Sequence, residues 1–355
     1  MKIKSVFRIL NEIRYVKSVL KSYSNVLVRG KYYQYNSFRA LTLNSPSVKG
    51  KAHLYFDENV CGNVQAAIAN FLNRISFFNN KNKYTTEEYD GFYIANNYDR
   101  VREIKLFSFK NSKILTICTS VEEANKQIEQ YETFGKAYNM PRVKKSDKYE
   151  TAFEISMVNL KEDPGSDRAL ENVCLSTIQN NPSIDKLTKK SVKDLLEFSF
   201  NDKEINFYLQ RIVDKIDPSL MNLQIPLCIQ HGDLSMANII YGECDGKTDF
   251  WWIDWEHAKE RIFFYDYFFY IIISIRPENM KIFDCYIKGE SCRAFEKMFE
   301  HFGLEFHRDK MFDYFLIFAI PFLIERVCSI GGLPILKRNY ELIEAMEAHI
   351  KKEKR

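Results

Sequence analysis

The stretch HGDLSMANII, His231–Ile240, places a histidine, a carboxylate and a carboxamide just before an apolar pair that is typical of a β-strand. The runs NIIYGE and DFWWID follow, and they flank CDGK, whose Asp-Gly pair predicts a tight hairpin turn. The start of one hairpin strand and the end of the other lie at the same end of the hairpin. Asn238 and Asp254 are therefore predicted to lie together, with Asp233 close by.

This set of side chains indicates phosphoryl-transfer chemistry. An amide oxygen and a carboxylate suit a hard cation such as Mg²⁺ that also holds phosphate groups. The remaining carboxylate, Asp233, is then left to accept a proton from an attacking hydroxyl. The alternative is purely structural, with Asp233 capping a turn and Asp254 ending a strand.

Composition predicts a folded protein with a sizeable core. The chain has 355 residues, 46% of them hydrophobic, with 28 Phe and 21 Tyr, which is unlike a disordered chain. This length favours two packed lobes or one large domain. The net charge of +4 is spread along the sequence, so nucleic acid is not an expected partner. The eight cysteines show no CxxC spacing and follow no secretory leader, so we expect reduced thiols in a cytoplasmic protein.

Two apolar segments raise the question of membrane contact. The apolar residues of MKIKSVFRILNEIRYVKSVLKSY fall on one helical face, with basic residues elsewhere. This helix either packs on the core or rests peripherally on the anionic inner face of a membrane. The later run IFFYDYFFYIIISI is too short to span a bilayer and contains Asp266, so it is predicted to be a buried helix.

The order of predicted elements divides the chain into three parts. Residues 91–158 read as β-β-β-α-β-β, with Ser120 as N-cap and Gly135 near the end of the helix. Residues 159–355 are mainly helical apart from the hairpin, including SVKDLLEFSF and DKEINFYLQRIVDKI. Residues 1–90 form an extension of uncertain role, in which SFRALTLNSPSVKGKAHLYF is predicted to form strands around a Ser-Pro turn.

HGDLSMAN and IDWEHA, in this order and spacing, resemble the catalytic loop and metal-binding strand end of the aminoglycoside phosphotransferase and choline kinase family, a branch of the protein-kinase-like fold. The resemblance implies a bilobal α+β protein with a nucleotide-binding N-lobe and an acceptor cleft in the helical C-lobe. It implies that Asp233 is the catalytic base and that Asn238 and Asp254 bind Mg²⁺. His231 and Asp266 would support the loop structurally.

The nucleotide-binding residues depart from the family pattern. The third strand, KILTICTS, has no lysine where the family places one to hold the α- and β-phosphates. Lys105 on the preceding strand is the first substitute and Lys113 the second, with Glu129 as a partner carboxylate or as part of a solvated helix face. The loop ANNYDR has no glycine to cradle a phosphate.

Adenine is expected near EISMVN, where Met157 and Val158 would offer backbone groups, unless the segment is simply a core strand.

The sequence leaves the acceptor open. Glu256 beside aromatic helices suits a choline-like amino alcohol, held by cation–π contact, although such aromatics also build cores. A small-molecule hydroxyl or a sugar of a surface glycan or glycolipid is the main prediction, with ATP or another nucleoside triphosphate as phosphate donor. The alternative class is a pseudokinase that binds nucleotide or acts as a scaffold, which the missing lysine favours. No A-P-E landmark follows IDWEHA, so a protein kinase is not expected.

Overall fold

The computed structural model describes residues 3–35, 39–52, 55–56, 63–96, 102–276 and 279–353, and the chain forms two units. The first unit comprises the chain up to Gly135 with Met140–Lys161 and Gly242–Thr248. The second unit comprises Lys136–Asn139, Glu162–Tyr241 and the chain from Asp249 onward. Residues 1–90, for which the sequence offered no role, thus lie with the β-rich segment in the first unit.

The first unit is built on an antiparallel sheet. Its elements in chain order are α1 (Ile3–Ser22), β1 (Gly30–Gln34), β2 (Ala40–Leu43), α2 (Pro46–Ala52), α3 (Asn63–Arg74), β3 (Asn79–Asn80), β4 (Gly91–Asn96), β5 (Arg102–Ser108), β6 (Lys113–Ile117), α4 (Val121–Phe134), β7 (Val143–Lys145), β8 (Ala152–Ser156) and β9 (Asn159–Leu160). Within the described residues the strand order is β3-β1-β2-β4-β5-β6-β8-β7. The predicted β-β-β-α-β-β order from β4 to β8 is confirmed, and β1 to β3 extend the same sheet.

Ser120 caps α4 as predicted, because its side chain accepts a hydrogen bond from the backbone N–H of Glu123. The Ser-Pro turn, by contrast, is a wrong prediction. Ser45 and Pro46 start the helix α2, in which the Ser45 Oγ accepts from the Val48 N–H at 3.4 Å. Proline fits the first helical position because the N–H that it lacks has no partner there.

Both faces of the sheet are covered, since alternate side chains of a strand point to opposite faces. On β5, Leu106 packs in a cluster with the buried side of α1 and α3, whereas Phe107 packs with α2. α4 covers Cys118 and Phe153. By the same alternation Lys105 shares its face with Phe107, and in register it lies opposite Thr116 on β6.

The apolar side of α1 faces the protein core. Ile13, Val16 and Leu20 are buried in the cluster over the sheet, while Leu10 is 45% exposed. The side chains of the first turns, before Ile9, lie outside the described part of the chain. The packed helix is therefore the arrangement that the described residues adopt.

The second unit is mainly helical. Its elements are α5 (Ser166–Asn180), β10 (Lys189–Ser191), α6 (Val192–Leu195), α7 (Lys203–Val213), β11 (Gln224–Gln230), the hairpin β12 (Ile239–Cys244) and β13 (Lys247–Trp252), whose tip belongs to the first unit, β14 (Lys259–Ile262), α8 (Tyr265–Ser274), α9 (Lys281–Lys288), α10 (Glu290–His301), α11 (Met311–Arg326) and α12 (Gly332–Glu353). α8 is buried as predicted, and among the described residues no helix is long and apolar enough to cross a membrane.

One helical prediction in this unit is wrong over most of its length, because SVKDLLEFSF forms only the four-residue helix α6. The strand β11, Gln224–Gln230, was not predicted. β11 lies between β10 and β14 in a small antiparallel sheet. Its pairing with distant segments outweighs local preference, and this strand leads directly into His231.

Truncating α1 on its buried side should destabilise the protein far more than truncating it on its exposed side. Leu20 is 5% exposed, so Leu20→Ala is expected to lower the free energy of unfolding by about 2–5 kcal/mol. Leu10→Ala, on the same helix, should change it by less than about 0.5 kcal/mol. Urea unfolding of both variants measures this, and equal effects would contradict the packing of α1 on the sheet.

Candidate active site

The loop after β11 is held by the buried carboxylate of Asp266, in the first turn of α8. Its Oδ2 accepts a hydrogen bond from the His231 N–H at 2.6 Å, and its Oδ1 accepts one from the Gly232 N–H at 2.8 Å. The Asp266 N–H donates to Gln230 Oε1 at 3.1 Å. Burial raises the pKa of the Asp266 carboxyl, while the His231 and Gly232 backbone N–H groups bonded to it oppose this. The end of β11 is thereby joined to α8 through three consecutive residues.

His231 is fully buried and connects the loop to the end of the hairpin. Its Nε2 lies 2.8 Å from the Ile253 carbonyl oxygen, and its Nδ1 lies 3.3 Å from the Asp233 backbone nitrogen. A carbonyl can only accept and an N–H can only donate, so these contacts assign the neutral tautomer with the proton on Nε2. The ring packs against Trp255 at 4.9 Å between centroids. Both ring nitrogens are engaged, so His231 positions the loop.

Only glycine fits at position 232. Its φ of +81° lies in the left-handed region, and a Cβ there would meet the Arg261 Nη1 at 2.3 Å. Arg261 is itself buried and fixed, with Nη1 donating to the His257 carbonyl at 3.0 Å and Nη2 to Glu325 at 3.2 Å. The sequence analysis missed this arginine and Glu325, because only the pairing of β14 with β11 and the packing of α11 bring them to the loop.

The predicted hairpin is confirmed, with Asp245 and Gly246 at φ of 51° and 79° in its turn. At the opposite end, the Ile253 N–H donates to the Asn238 carbonyl at 3.0 Å, which places Asp254 next to Asn238 along the backbone. Asp254 is exposed and has a φ of 66°, an uncommon conformation for a residue other than glycine.

Asn238 and Asp254 provide suitable donors for Mg²⁺. The Asn238 Nδ2 donates to the Asp233 carbonyl at 2.8 Å, so the other polar atom of the amide, Oδ1, is the one that could bind a metal ion. Among the described residues no group of three or more His, Cys, Asp or Glu side chains could hold a metal ion. A cation bound here would take its remaining ligands from phosphates and water, as Mg²⁺ commonly does.

Asp233 carries a partly exposed carboxylate, with 38% of its side chain accessible to solvent. Burial raises the pKa of this carboxyl above its ordinary value, although the charges of His257 and Arg326 oppose the effect. The Arg326 Nη2 lies 3.9 Å from Asp233 Oδ1. Arg326 ends α11, far along the chain, and no local sequence signal pointed to it.

Glu256, predicted to bind an acceptor amine, is exposed and lies beside a histidine. Its Oε1 is 3.3 Å from the His257 Nε2, and this contact raises the pKa of the His257 imidazole. The Glu256 carboxylate therefore already has a neighbouring hydrogen-bond partner in His257.

In the first unit, Lys105 lies close to acidic side chains other than Glu129. Its Nζ is 3.7 Å from Glu103 Oε1. Burial raises the pKa of the neighbouring Cys118 thiol to about 12, and the charges of Glu103, Glu123 and Lys105 act on the same group. Glu129 is exposed on α4. The loop after β4, which has no glycine, falls on residues 97–101, outside the described part.

The other predicted nucleotide-binding groups already have partners in the first unit. Lys113 bonds Glu88 at 2.9 Å and Glu154 at 3.0 Å. The Met157 N–H donates to the Ser112 carbonyl at 2.8 Å, and the Val158 carbonyl accepts from the Tyr55 hydroxyl. The Met157 carbonyl and the Val158 N–H are therefore the backbone groups to consider for adenine.

The sequence matches no protein-family model and no curated protein. Similar solved structures include an aminoglycoside 2'-phosphotransferase-IIIa in its GDP complex, with a TM-score of 0.43, 14% identity and coverage of 74% of this chain and 93% of the other. Another is the choline kinase LicA from Streptococcus pneumoniae, with a TM-score of 0.42, 11% identity and coverage of 81% and 100%.

A third similar structure is the amicoumacin kinase hAmiN in complex with AMP-PNP, Ca²⁺ and Ami, with a TM-score of 0.38, 11% identity and coverage of 71% of this chain and 87% of the other. Aminoglycoside phosphotransferases and choline kinases are also the proteins that HGDLSMAN and IDWEHA resemble. The similar structures act on different acceptors by name and single out none of them.

Removing the Asp266 carboxylate should loosen the loop and destabilise the second unit. In Asp266→Ala the His231 and Gly232 N–H groups lose their buried acceptor, which is expected to cost about 2–5 kcal/mol. Asp266→Asn keeps one acceptor oxygen and should cost less. Chemical denaturation compares the two variants, and wild-type stability in Asp266→Ala would show that the loop does not depend on this carboxylate.

Proposed function

We propose that this protein is a nucleoside-triphosphate-dependent phosphotransferase that moves the γ-phosphoryl group to a hydroxyl of a small molecule or a glycan sugar. The observation that carries the proposal is the meeting of Asp233, Asn238 and Asp254 at one end of the hairpin, on a loop held by Asp266. A turn that only caps a strand does not need two carboxylates and an amide at the same point.

The chemistry follows from the position of each group. The acceptor hydroxyl donates its proton to the Asp233 carboxylate as its oxygen bonds to the γ-phosphorus, while the bond from that phosphorus to the leaving diphosphate oxygen breaks. The partial burial of Asp233 makes its carboxylate a stronger base. Mg²⁺, held by Asn238 and Asp254, would neutralise charge on the phosphates. His231, neutral and engaged at both nitrogens, positions Asp233 and does not transfer protons.

For the nucleotide we propose the part of the first unit's sheet around Lys105, whose side chain is 32% exposed although α2 covers Phe107 on the same face, with the Met157 carbonyl and the Val158 N–H near the adenine. Lys105 stays the first candidate and Lys113, bonded to Glu88 and Glu154, the second. Glu129 stays a proposal as the partner of Lys105, and Glu103 at 3.7 Å is the nearer carboxylate.

We also propose that the acceptor is a lipid-linked glycan at the inner face of a membrane. Because Ile13, Val16 and Leu20 on the apolar face of α1 are buried in the protein, this finer proposal rests on the basic residues of α1 alone. A choline-like amino alcohol is the other acceptor; it would depend on Glu256, whose carboxylate already has a hydrogen-bond partner in the neighbouring His257.

A pseudokinase is the second candidate function. One argument for it is that Thr116 on β6 and Cys118 just after β6 stand where a phosphate-binding lysine would be expected. The other is that the Met157 N–H and the Val158 carbonyl already form hydrogen bonds within the protein. The three site residues of the second unit favour the active enzyme.

Two substitutions should separate the roles of the carboxylates. Asp254→Ala is expected to lose Mg²⁺-dependent nucleotide binding and turnover together, whereas Asp233→Asn should keep binding and lose about 10²–10⁴-fold in turnover. Thermal unfolding with ATP or GTP, with and without Mg²⁺, measures binding; nucleotide at a hundred times its Kd stabilises by about 2.7 kcal/mol. Transfer of labelled phosphate measures turnover. No nucleotide shift in the wild type would support the pseudokinase.

The two lysines should differ in what they affect. Lys105→Gln is expected to weaken nucleotide binding with little change in stability, because its side chain is 32% exposed and near Glu103 only at 3.7 Å. Lys113→Gln should leave nucleotide binding unchanged and lower stability slightly, because it removes contacts to Glu88 and Glu154. The reverse pattern in binding titrations would assign the phosphates to Lys113.

A further inference from the structure

A guanidinium group is fixed beside the proposed catalytic base. Arg326 is the last residue of α11, at the point where the helix passes into the π-helical turn Val327–Gly331. Its guanidinium lies over the rings of Phe269 at 5.5 Å and Phe322 at 5.4 Å, and its Nη2 is 3.9 Å from Asp233 Oδ1. With 22% of its side chain exposed, the group is held in place by the two rings and still reachable from solvent.

The hydrogen-bonding capacity of Arg326 is largely unused within the described residues. A guanidinium has five N–H donors, and at 3.9 Å the contact with Asp233 is an ion pair and no hydrogen bond. Arg261, on the other side of the loop, donates to both His257 and Glu325. Arg261 is therefore a structural arginine, whereas Arg326 retains donors for a molecule that enters the site.

The position of Asp233 limits what that molecule is. An acceptor hydroxyl must come within about 2.6–3.2 Å of the Asp233 carboxylate to give up its proton. The Arg326 guanidinium lies 3.9 Å from that carboxylate. It would therefore contact the part of the acceptor that is only a few bonds away from the reacting hydroxyl. Guanidinium groups bind phosphate and carboxylate oxygens strongly, often through two parallel hydrogen bonds.

We propose that Arg326 selects an acceptor that carries an anionic group, a phosphate or a carboxylate, close to the hydroxyl that is phosphorylated. The inference rests on the proposed function and adds the class of substrate. Phosphorylated sugars, sugar acids and phosphate-linked glycans satisfy it, whereas choline and aminoglycosides present a cation to Arg326.

The other charges near Asp233 agree with this selection. The carboxylate of Glu256 is paired with His257, and that of Asp254 is assigned to the metal. Glu325, which precedes Arg326, is held by Lys259 at 2.8 Å and by Arg261. Apart from the base Asp233 itself, the acidic side chains of this group are each assigned to another partner, which leaves Arg326 as the charged side chain beside the acceptor.

The test compares acceptors that differ only in an anionic group. Glycerol and glycerol 3-phosphate form one pair, and glucose and glucose 6-phosphate form another; choline and kanamycin represent cationic acceptors. Transfer of labelled phosphate is measured for the wild type and Arg326→Gln. We expect the wild type to prefer the anionic member, and Arg326→Gln to reduce this preference at least tenfold through a higher KM for the acceptor, with an unchanged KM for the nucleotide.

Two further variants separate specificity from a general loss of charge or fold. Arg326→Lys keeps the charge without the planar donor group and should recover part of the preference. Lys259→Gln removes a cation that contacts Glu325 and not Asp233, so it should leave the preference unchanged. Thermal unfolding of each variant verifies that it is folded.

Direct binding distinguishes failure of this inference from failure of the proposed function. Without nucleotide or Mg²⁺, glycerol 3-phosphate should stabilise the wild type against unfolding and glycerol should not, and Arg326→Gln should abolish the difference. If that result comes without any turnover, the anion site stands and the phosphotransferase proposal falls. Turnover of neutral or cationic acceptors with a preference that Arg326→Gln does not change would overturn the inference, as would a raised nucleotide KM in this variant.

Discussion

The site depends on one buried carboxylate. Asp266 lies in the aromatic interior of the second unit, where an isolated charge is costly, and the N–H groups of His231 and Gly232 offset that cost at 2.6 and 2.8 Å. Because those donors belong to consecutive loop residues, the same two hydrogen bonds stabilise the buried charge and fix the loop. The following residues of α8, Tyr267 and Phe268, are fully buried as well. The carboxylate therefore lies on a helix that is buried on more than one side.

The loop fixed by Asp266 in turn contacts the other parts of the site. His231, held at its backbone, reaches the Ile253 carbonyl and fixes the end of β13. Asn238 closes the loop on the Asp233 carbonyl. Gly232 allows Arg261 to approach the backbone. A few directional contacts thus connect α8, β11, β14 and the hairpin, and the side chains of Asp233 and Asp254 remain accessible at the edge of this assembly.

Local patterns predicted the elements whose signals are local. The hairpin followed from an Asp-Gly turn between two β-rich runs, and α4 from its Ser120 cap; both are present. β11 was missed because its partners β10 and β14 are distant in sequence, and α2 because Ser45-Pro46 fits a turn as well as a helix start. Arg326 reaches Asp233 only through the packing of α11, and no spacing rule could find it.

The backbone conformation of Asp254 limits which residues can replace it. The left-handed conformation that it adopts is entered most readily by glycine, asparagine and aspartate. An asparagine at this position would keep the turn and the fold while removing the negative charge from the hairpin end. On the proposed function, this single change of side chain would weaken the metal site and leave the chain folded, so that loss of activity and loss of fold are separable at this position.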